Sequence, residues 1–148
     1  MTLDNVDKAI LSTLIDDSRL SYRQIAKKVG VSVATAMNRV KALEKEGIIR
    51  RYTTLLNYEK LGYDVEVMIE VRIAKGKLIE VEKQIASNPS VFAVYDMTGD
   101  FDAVILARFT NRRKMDSFLK KIQTLDFVER TNTRFILNTI REKQVGVM

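Results

Sequence analysis

Residues 21–47 read SYRQIAKKVGVSVATAMNRVKALEKEG, and this stretch decides the fold of the N-terminal third of the chain. Ser21 and Gln24 form the Ser-x-x-Gln signature of a capped helix start, and Gly30 ends the apolar pattern that follows. Ser32 is placed to cap a second, longer helix. Two helices joined by so short a turn are typical of a helix-turn-helix.

Both flanks of this unit carry patterns that complete a small domain. Residues 4–16 place apolar side chains at helical spacing, which predicts a helix that precedes the other two. The longer helix is expected to bury one apolar stripe, made of Val33, Ala36, Met37, Val40 and Leu43. Residues 48–53 are β-prone apart from two arginines, which favours the hairpin, or wing, that often follows such a unit. We therefore expect a winged helix-turn-helix domain over residues 1–53 and a linker over residues 54–63.

The second half of the chain changes from helical spacing to alternation. From Val65 to Ile73 apolar residues recur at every second position, as in a strand with one buried face. The patterns that follow predict a helix from Leu78 to Ile85, strands over 91–98 and 101–109, a helix capped by Thr110 or Asn111, and a strand over 128–140. The order β-α-β-β-α-β predicts a ferredoxin-like sandwich domain over residues 64–148, and the fold class of the chain is therefore α+β.

The predicted sheet leaves one face without a cover. Both helices lie on the same side of a ferredoxin-like sheet, so its second face is left to water or to another subunit. A homodimer is the economical way to cover that face, and such dimers can assemble into higher homo-oligomers.

The composition excludes several classes of protein. The 148 residues contain no cysteine and no histidine, which removes thiolate nucleophiles, disulfides, ordinary zinc sites and imidazole acid–base chemistry. Asp96, Asp100 and Asp102 are carboxylates that an enzyme could use, but no nucleophile or phosphate-binding loop accompanies them. We expect no enzyme, no metal and no cofactor.

No apolar run approaches the roughly 18 residues of a membrane helix and no secretory signal is visible, so a cytoplasmic protein without membrane contact is expected.

Positive charge is concentrated near the N-terminus. Residues 20–51 hold eight Lys or Arg against two acidic residues, which equals the net charge of +6 of the whole chain. Residues 52–148 carry fifteen basic and thirteen acidic side chains, which is close to balance. A positive field in one place indicates a polyanionic partner there, and double-stranded DNA is the partner that a helix-turn-helix predicts.

The outward side of the helix that Ser32 caps is small, polar and basic, and it suits the major groove of DNA. Asparagine is suited to adenine, arginine to guanine and methyl groups to thymine. The candidates for base contact are therefore Ala34, Thr35, Asn38 and Arg39. The other candidates for DNA contact, mainly at phosphates, are Ser21, Tyr22, Arg23, Ser32, Lys41, Lys45, Arg50 and Arg51.

Plainer interpretations of these residues stay open. The helix face could be an ordinary solvated surface, and Ser21 could serve only as a cap. Arg39 could make an intramolecular ion pair, or it could touch a phosphate without reading sequence.

The segment Thr98-Gly99-Asp100-Phe101-Asp102 has the chemistry to bind a zwitterion. Gly99 allows a tight turn and lets a ligand approach the backbone closely. The carboxylates of Asp100 and Asp102, two residues apart, would lie on one strand face if the strand starts directly after Gly99. Paired carboxylates hold an ammonium group, while the threonine hydroxyl and backbone amides bind a carboxylate. The alternative is an ordinary Gly-Asp hairpin turn. The polar run Thr131-Asn132-Thr133 could line the same subunit interface, or it could face solvent.

The order of these features resembles the Lrp/AsnC (feast/famine) family over nearly the whole chain. The matching residues are Leu3-Asp4 with Asp7 and Ile10, Ile25-Ala26, Arg39-Val40 with Leu43-Glu44, Gly47-Ile48-Ile49, Leu61-Gly62-Tyr63 and Thr98-Gly99-Asp100-Phe101-Asp102. The resemblance implies a C-terminal half that pairs sheets into dimers, assembles further and binds amino acids or related metabolites between subunits. The chain departs from the family pattern at Ala36, where a larger aliphatic residue is common, and at Arg51, where glycine often precedes the aromatic residue.

We therefore expect a sequence-specific DNA-binding transcription regulator whose oligomerisation and DNA binding respond to an amino acid or related small metabolite. The alternative is a nucleoid-associated, DNA-packaging protein without effector sensing. A ligand sensor or metabolic-enzyme partner with a vestigial helix-turn-helix is a third interpretation.

Overall fold

The computed structural model describes residues 2–147, and these residues fall into two compact units. The first unit takes in the described residues up to Leu55 together with those from Arg141 onward, and the second contains Leu56–Ile140. The predicted linker over residues 54–63 is thus divided between the two units. None of the helices in the described part of the chain is long and apolar enough to cross a membrane.

Three helices form the first unit: α1 (Asn5–Asp16), α2 (Tyr22–Val29) and α3 (Val33–Lys45). The backbone N–H of Ser21 donates to the Gln24 side chain at 2.8 Å, and the Gln24 N–H donates to the Ser21 hydroxyl oxygen at 3.3 Å, which completes the predicted capping box of α2. Gly30 ends α2 with φ 79°, a left-handed conformation in which glycine carries no steric cost. The Ser32 hydroxyl oxygen accepts from the Thr35 N–H at 3.1 Å and caps α3. The helix-turn-helix is therefore confirmed.

The core of the first unit lies where the three helices meet. Ile10, Ile25 and Leu43 are almost completely buried there, and Ala36 is also inaccessible. The predicted stripe of α3 is wrong at Val33, which is 46% exposed. Val33 opens the helix, and the buried stripe begins one turn later at Ala36.

One charged side chain is buried in this core. Asp7, in the first turn of α1, has no accessible surface, and its carboxylate accepts a hydrogen bond from the Asp4 N–H at 3.1 Å. The Arg39 guanidinium lies 3.2 Å from the Asp7 carboxylate and 2.9 Å from that of Asp4. Because a buried charge is costly unless it is paired and hydrogen-bonded, Arg39 joins α3 to the start of α1.

The segment after α3 forms no hairpin within the described chain, so the predicted strands of a wing are absent from residues 48–53. This segment follows α3 without regular structure, and Arg50 and Arg51 in it are exposed. The Tyr52 hydroxyl donates to a Glu44 carboxylate oxygen at 2.8 Å, which ties the segment to α3 instead. Burial, together with Glu44, raises the pKa of Tyr52 to about 12. Strand propensity gave the wrong prediction here because it reflects the packing of side chains against a neighbouring strand, and these residues have no second strand to pair with.

The second unit has the predicted order, with β1 (Val65–Ile73), α4 (Leu78–Ala86), β2 (Val91–Asp96), β3 (Ala103–Phe109), α5 (Arg112–Gln123) and β4 (Val128–Phe135). The strands form one antiparallel sheet in the order β2-β3-β1-β4. Val67, Ile69 and Val71 of β1 are fully buried, in one core with the inward side chains of both helices. The α+β class and the ferredoxin-like sandwich are therefore confirmed.

Three strands are shorter than the sequence predicted. β2 stops at Asp96 and β3 starts at Ala103, because the Asp102 carboxylate accepts the Ile73 N–H at 2.7 Å and closes the loop before the strand begins. β4 ends at Phe135, and the last bond to the sheet is from the Ile136 N–H to the Glu66 carbonyl oxygen at 2.9 Å.

The Asp7–Arg39 pair leads to a stability prediction. Arg39→Met keeps an unbranched apolar stem but removes the guanidinium and leaves the buried Asp7 carboxylate without its cation, so we expect the free energy of unfolding to fall by about 1–3 kcal/mol. Lys41→Met is a matched control on an exposed position of the same helix and should change it by less than about 0.5 kcal/mol. Urea unfolding followed by circular dichroism measures both, and equal stability of the two variants would contradict the structural role of the pair.

Candidate functional site

The outward face of α3 presents the residues predicted to contact DNA. Ala34, Asn38, Lys41 and Lys45 are exposed, and their spacing of three and four residues places them along one side of the helix. Thr35 is half-buried, and its hydroxyl lies 2.8 Å from that of Ser32. The structure therefore brings four of the predicted residues together, while Thr35 and Ser32 are engaged with each other at the start of the helix.

Arg39 is not part of this face. Its guanidinium is paired with the carboxylates of Asp4 and Asp7, so the structure contains the intramolecular ion pair that was the alternative to base contact. Of the four residues predicted to contact bases, Ala34 and Asn38 are the two that are exposed, and neither carries a charge.

The start of α2 shows a similar division of roles. The Ser21 hydroxyl donates to the Gln24 carboxamide at 3.0 Å as well as accepting its N–H, so capping accounts for this side chain. Tyr22 is half-buried against the core of the first unit, whereas Arg23 is exposed. In the described chain Arg23 has no ion pair, and neither do Lys41, Lys45, Arg50 or Arg51, so these five cations leave their positive charge unneutralised.

The predicted effector loop lies between β2 and β3. Thr98, Gly99 and Asp100 are exposed, with Gly99 at φ 116°, and Phe101 is half-buried with the Arg130 guanidinium 5.4 Å from its ring centre. The base of the loop is fixed by the Met97 N–H, which donates to the carbonyl oxygen of Asp102 at 2.9 Å.

The expected pairing of Asp100 and Asp102 on one strand face is wrong. Strand β3 begins only at Ala103, and Asp102 instead lies against the edge of β1. Its N–H donates to the Val71 carbonyl oxygen at 3.0 Å and its carboxylate accepts from the Ile73 N–H at 2.7 Å. Asp102 is held by two backbone bonds, while Asp100 lies in the exposed part of the loop.

A carboxylate that the sequence did not single out accompanies Asp102. Glu82, on α4, lies near Asp96 and Asp102. Burial is the main cause that raises the pKa of Glu82 to about 7, and the hydrogen bond with Asp96 and the negative charges of Asp96 and Asp102 raise it further. Its Oε1 atom is buried and accepts no hydrogen bond from the described chain. In the sequence Glu82 is one of two acids on an amphipathic helix, and only the topology brings it to the loop.

The polar run of β4 does not form one surface. Thr131 pairs with Val71 on the helix-covered face, where its hydroxyl accepts from Gln123 at 3.3 Å, and Thr133 lies on the same face. Asn132 lies on the opposite face and donates to Glu70 at 2.6 Å. This bond, with help from Arg134, lowers the pKa of Glu70.

Two family descriptions match the chain, one in the part that forms the three helices and one in the part that forms the sheet and continues into the C-terminal residues. Winged helix-turn-helix DNA-binding matches residues 3–50, and Lrp/AsnC ligand binding domain matches residues 66–145. The chain belongs to the Lrp/AsnC family. An uncharacterized HTH-type transcriptional regulator of Pyrococcus furiosus is 46% identical over 142 residues, which are 96% of each protein.

Solved structures of transcription regulators are similar over nearly the whole length. A Neisseria meningitidis transcriptional regulator in complex with L-methionine has a TM-score of 0.89 and 28% identity, covering 96% of this chain and 94% of the other. Escherichia coli AsnC has a TM-score of 0.91 and 26% identity, covering 99% of both chains. This Lrp/AsnC protein is a DNA-binding transcription regulator with a ligand-binding domain, and it is not an enzyme.

The raised pKa of Glu82 predicts a pH dependence of stability. Glu82 binds its proton more tightly when folded, so the free energy of unfolding should fall as pH rises from about 4.5 to about 7, where the folded protein must bury a carboxylate that the unfolded chain ionises freely. Glu82→Gln should weaken this fall, because the side chain no longer titrates. Glu80→Gln, exposed on the same helix, should keep it. Urea unfolding at several pH values across this range measures the effect. If Glu82→Gln loses as much stability over the range as the wild type does, the pH dependence does not come from Glu82.

Proposed function

We propose that this regulator recognises specific DNA sequences through the outward face of α3 and changes its DNA binding when an amino acid or related metabolite binds near the loop at residues 98–102. The observation that carries the DNA half is the capped helix-turn-helix whose exposed face combines neutral hydrogen-bonding groups with unneutralised cations. The effector half is supported by the carboxylates gathered at the base of the loop, and by the L-methionine complex of the Neisseria meningitidis relative.

The proposed roles on the DNA side follow from side-chain chemistry. The Asn38 carboxamide can donate and accept at the same time, as adenine requires, and the Ala34 methyl suits thymine. Lys41, Lys45, Arg50 and Arg51 are exposed cations in the second half of α3 or after it, away from the N-terminal turns that reach base edges, and we assign them to phosphates. Arg39 is proposed to act indirectly, by fixing α3 on α1.

Asn38→Ala tests sequence reading. Loss of the carboxamide should weaken binding to selected sites by about 1–3 kcal/mol and relax the preference at one base position in each half-site. Lys41→Ala is the control, because removal of a phosphate contact should weaken binding to every sequence alike. Selection of bound duplexes from random DNA with each variant measures both effects, and a uniform loss in Asn38→Ala would exclude direct readout by this residue.

The proposed effector site is built on Asp102. Its two backbone bonds hold the carboxylate in place beside Glu82 and Asp96, and this concentration of negative charge suits an ammonium group. The exposed backbone of Thr98, Gly99 and Asp100 is accessible to the carboxylate of the same ligand. The two ends of an amino acid would thus be bound by different parts of one loop.

Assembly is proposed to use the sheet face that carries no helix. Phe92 and Tyr95 are 40% and 57% exposed on this face. Arg108 lies on the same face with its guanidinium 3.9 Å from the Phe92 ring centre and 2.8 Å from the Glu66 carboxylate. A partly apolar face of this kind is covered most simply by a second copy of the chain. We infer that effector binding acts on DNA affinity by changing how the subunits are arranged.

Asp102→Asn tests the effector site. The amide keeps an oxygen for the Ile73 N–H but removes the charge, so affinity for an amino acid should fall while DNA binding without ligand stays nearly unchanged. Asp126→Asn removes the same charge from an exposed position elsewhere and should bind ligand normally. Calorimetry with a panel of amino acids that includes L-methionine, paired with light scattering, measures binding and assembly.

Wild-type protein that binds no metabolite would favour the DNA-packaging alternative. Coupling of about 1–3 kcal/mol between effector and DNA is typical of allosteric proteins, so ligand should alter DNA affinity by about 5- to 150-fold or change the length of the footprint. DNA binding that is identical with and without a bound ligand would contradict the regulatory part of the proposal.

A further inference from the structure

The cations of the second unit are concentrated on one helix, although the charge of this half of the chain is close to balance. α5 carries five cations against the single acid Asp116, and these cations are Arg112, Arg113, Lys114, Lys120 and Lys121. All five are exposed, and within the described chain none of them takes part in an ion pair. By contrast, α4 mixes acids with Lys83, and its Glu80 is paired with Lys77 at 3.1 Å.

Three of these cations lie at the end of the helix that least favours them. Residues 112–114 form the first turn of α5, where unpaired N–H groups already give a positive partial charge. The Asn111 side chain accepts the Lys114 N–H at 3.0 Å, but it brings no negative charge. Helix stability alone would favour acids at this turn, so an anion from outside the chain would relieve the repulsion.

The outward face of α5 lacks what a protein partner needs. Met115, Phe118 and Ile122 point into the core, and no exposed large apolar side chain in the described chain belongs to α5. Stable protein interfaces are centred on apolar and aromatic side chains and are poor in lysine. The phosphate backbone of a nucleic acid, on the other hand, is bound by cations alone and independently of sequence.

We propose that α5 is a second DNA-binding surface, which contacts the phosphate backbone of duplex DNA in addition to the contacts made by the helix-turn-helix. The proposal rests on the DNA binding of the first unit, because that brings the polyanion to the protein. Arg113, Lys120 and Lys121 lie three or four residues from Ser117 and share its side of the helix. A helix of twelve residues is about 18 Å long, which matches roughly ten charges along a duplex.

The salt dependence of DNA binding tests this proposal with the full chain and random-sequence duplex DNA. The triple variant Arg113→Gln, Lys120→Gln and Lys121→Gln removes three charges from α5. The control, Lys60→Gln, Lys75→Gln and Lys83→Gln, removes three exposed charges that are dispersed over the same unit. The slope of log affinity against log salt should become shallower by about 0.9 for each phosphate that is no longer neutralised, or about 2–3 in total, in the α5 variant alone. Equal slopes in the two variants would overturn the proposal.

A charge-retaining variant separates the effect of charge from an effect on folding. Arg113→Lys, Lys120→Arg and Lys121→Arg should keep the wild-type slope. A shallow slope in this variant as well would mean that damage to the helix, and not removal of charge, caused the effect, and would count against the proposal.

Cross-linking identifies what the face touches. A photo-reactive benzoylphenylalanine in place of Ser117 should cross-link to DNA, whereas the same group in place of Gln84 on α4 should not. Cross-links from position 117 to a second protein chain and not to DNA would show that α5 is a contact between subunits and would overturn the proposal. A wild-type chain that binds no DNA would remove the function of the first unit as well, which distinguishes that failure from a failure of α5 alone.

Discussion

Strand β1 is hydrogen-bonded along both of its edges, and the second unit depends on this arrangement. Its partners are β3 on one side and β4 on the other, and its side chains alternate between a buried face and an open one. A shift of the register by one residue would expose Val67 and Ile69 and bury Glu66 and Glu70, so the register is strongly determined. The pair Val71 and Ala103 then fixes where the loop at residues 98–102 meets the sheet. The candidate effector site is thus positioned by the strand that lies at the centre of the core.

The first unit depends on a different constraint, the single charge in its core. The buried Asp7 carboxylate needs a cation, and the geometry of the helices allows Arg39 to supply it. A residue whose guanidinium is held in this way cannot also present its full charge to a base. The exposed face of α3 is left with small and neutral groups flanked by lysines, and this is the face proposed to contact DNA. Stability and the proposed recognition therefore use different faces of one helix.

The sequence predicted the elements and their order better than it predicted their ends and their contacts. Caps and glycines act locally, so Ser21, Gln24 and Gly30 predicted α2 correctly, and alternation predicted β1 to the residue. The wing, the start of β3 and the position of Asp102 depend on partners distant in sequence, and local preferences carried no information about them. The candidate site shows the same limit, since Glu82, Asp96 and Asp102 come together only after α4 has packed on the sheet.

The C-terminal residues belong to the unit that begins the chain. After β4 the polypeptide leaves the sheet, and residues from Arg141 onward join the three-helix unit, where Val147 packs against its core. In terms of connectivity, the ligand-binding unit is an insertion within the DNA-binding unit, tethered at both its first and its last residue. The tail is thus linked to the second unit by the peptide bond after Ile140 and to the three helices by non-covalent packing. A fusion partner attached after the tail would accordingly sit on the DNA-binding unit, although the last strand of the chain belongs to the ligand-binding one.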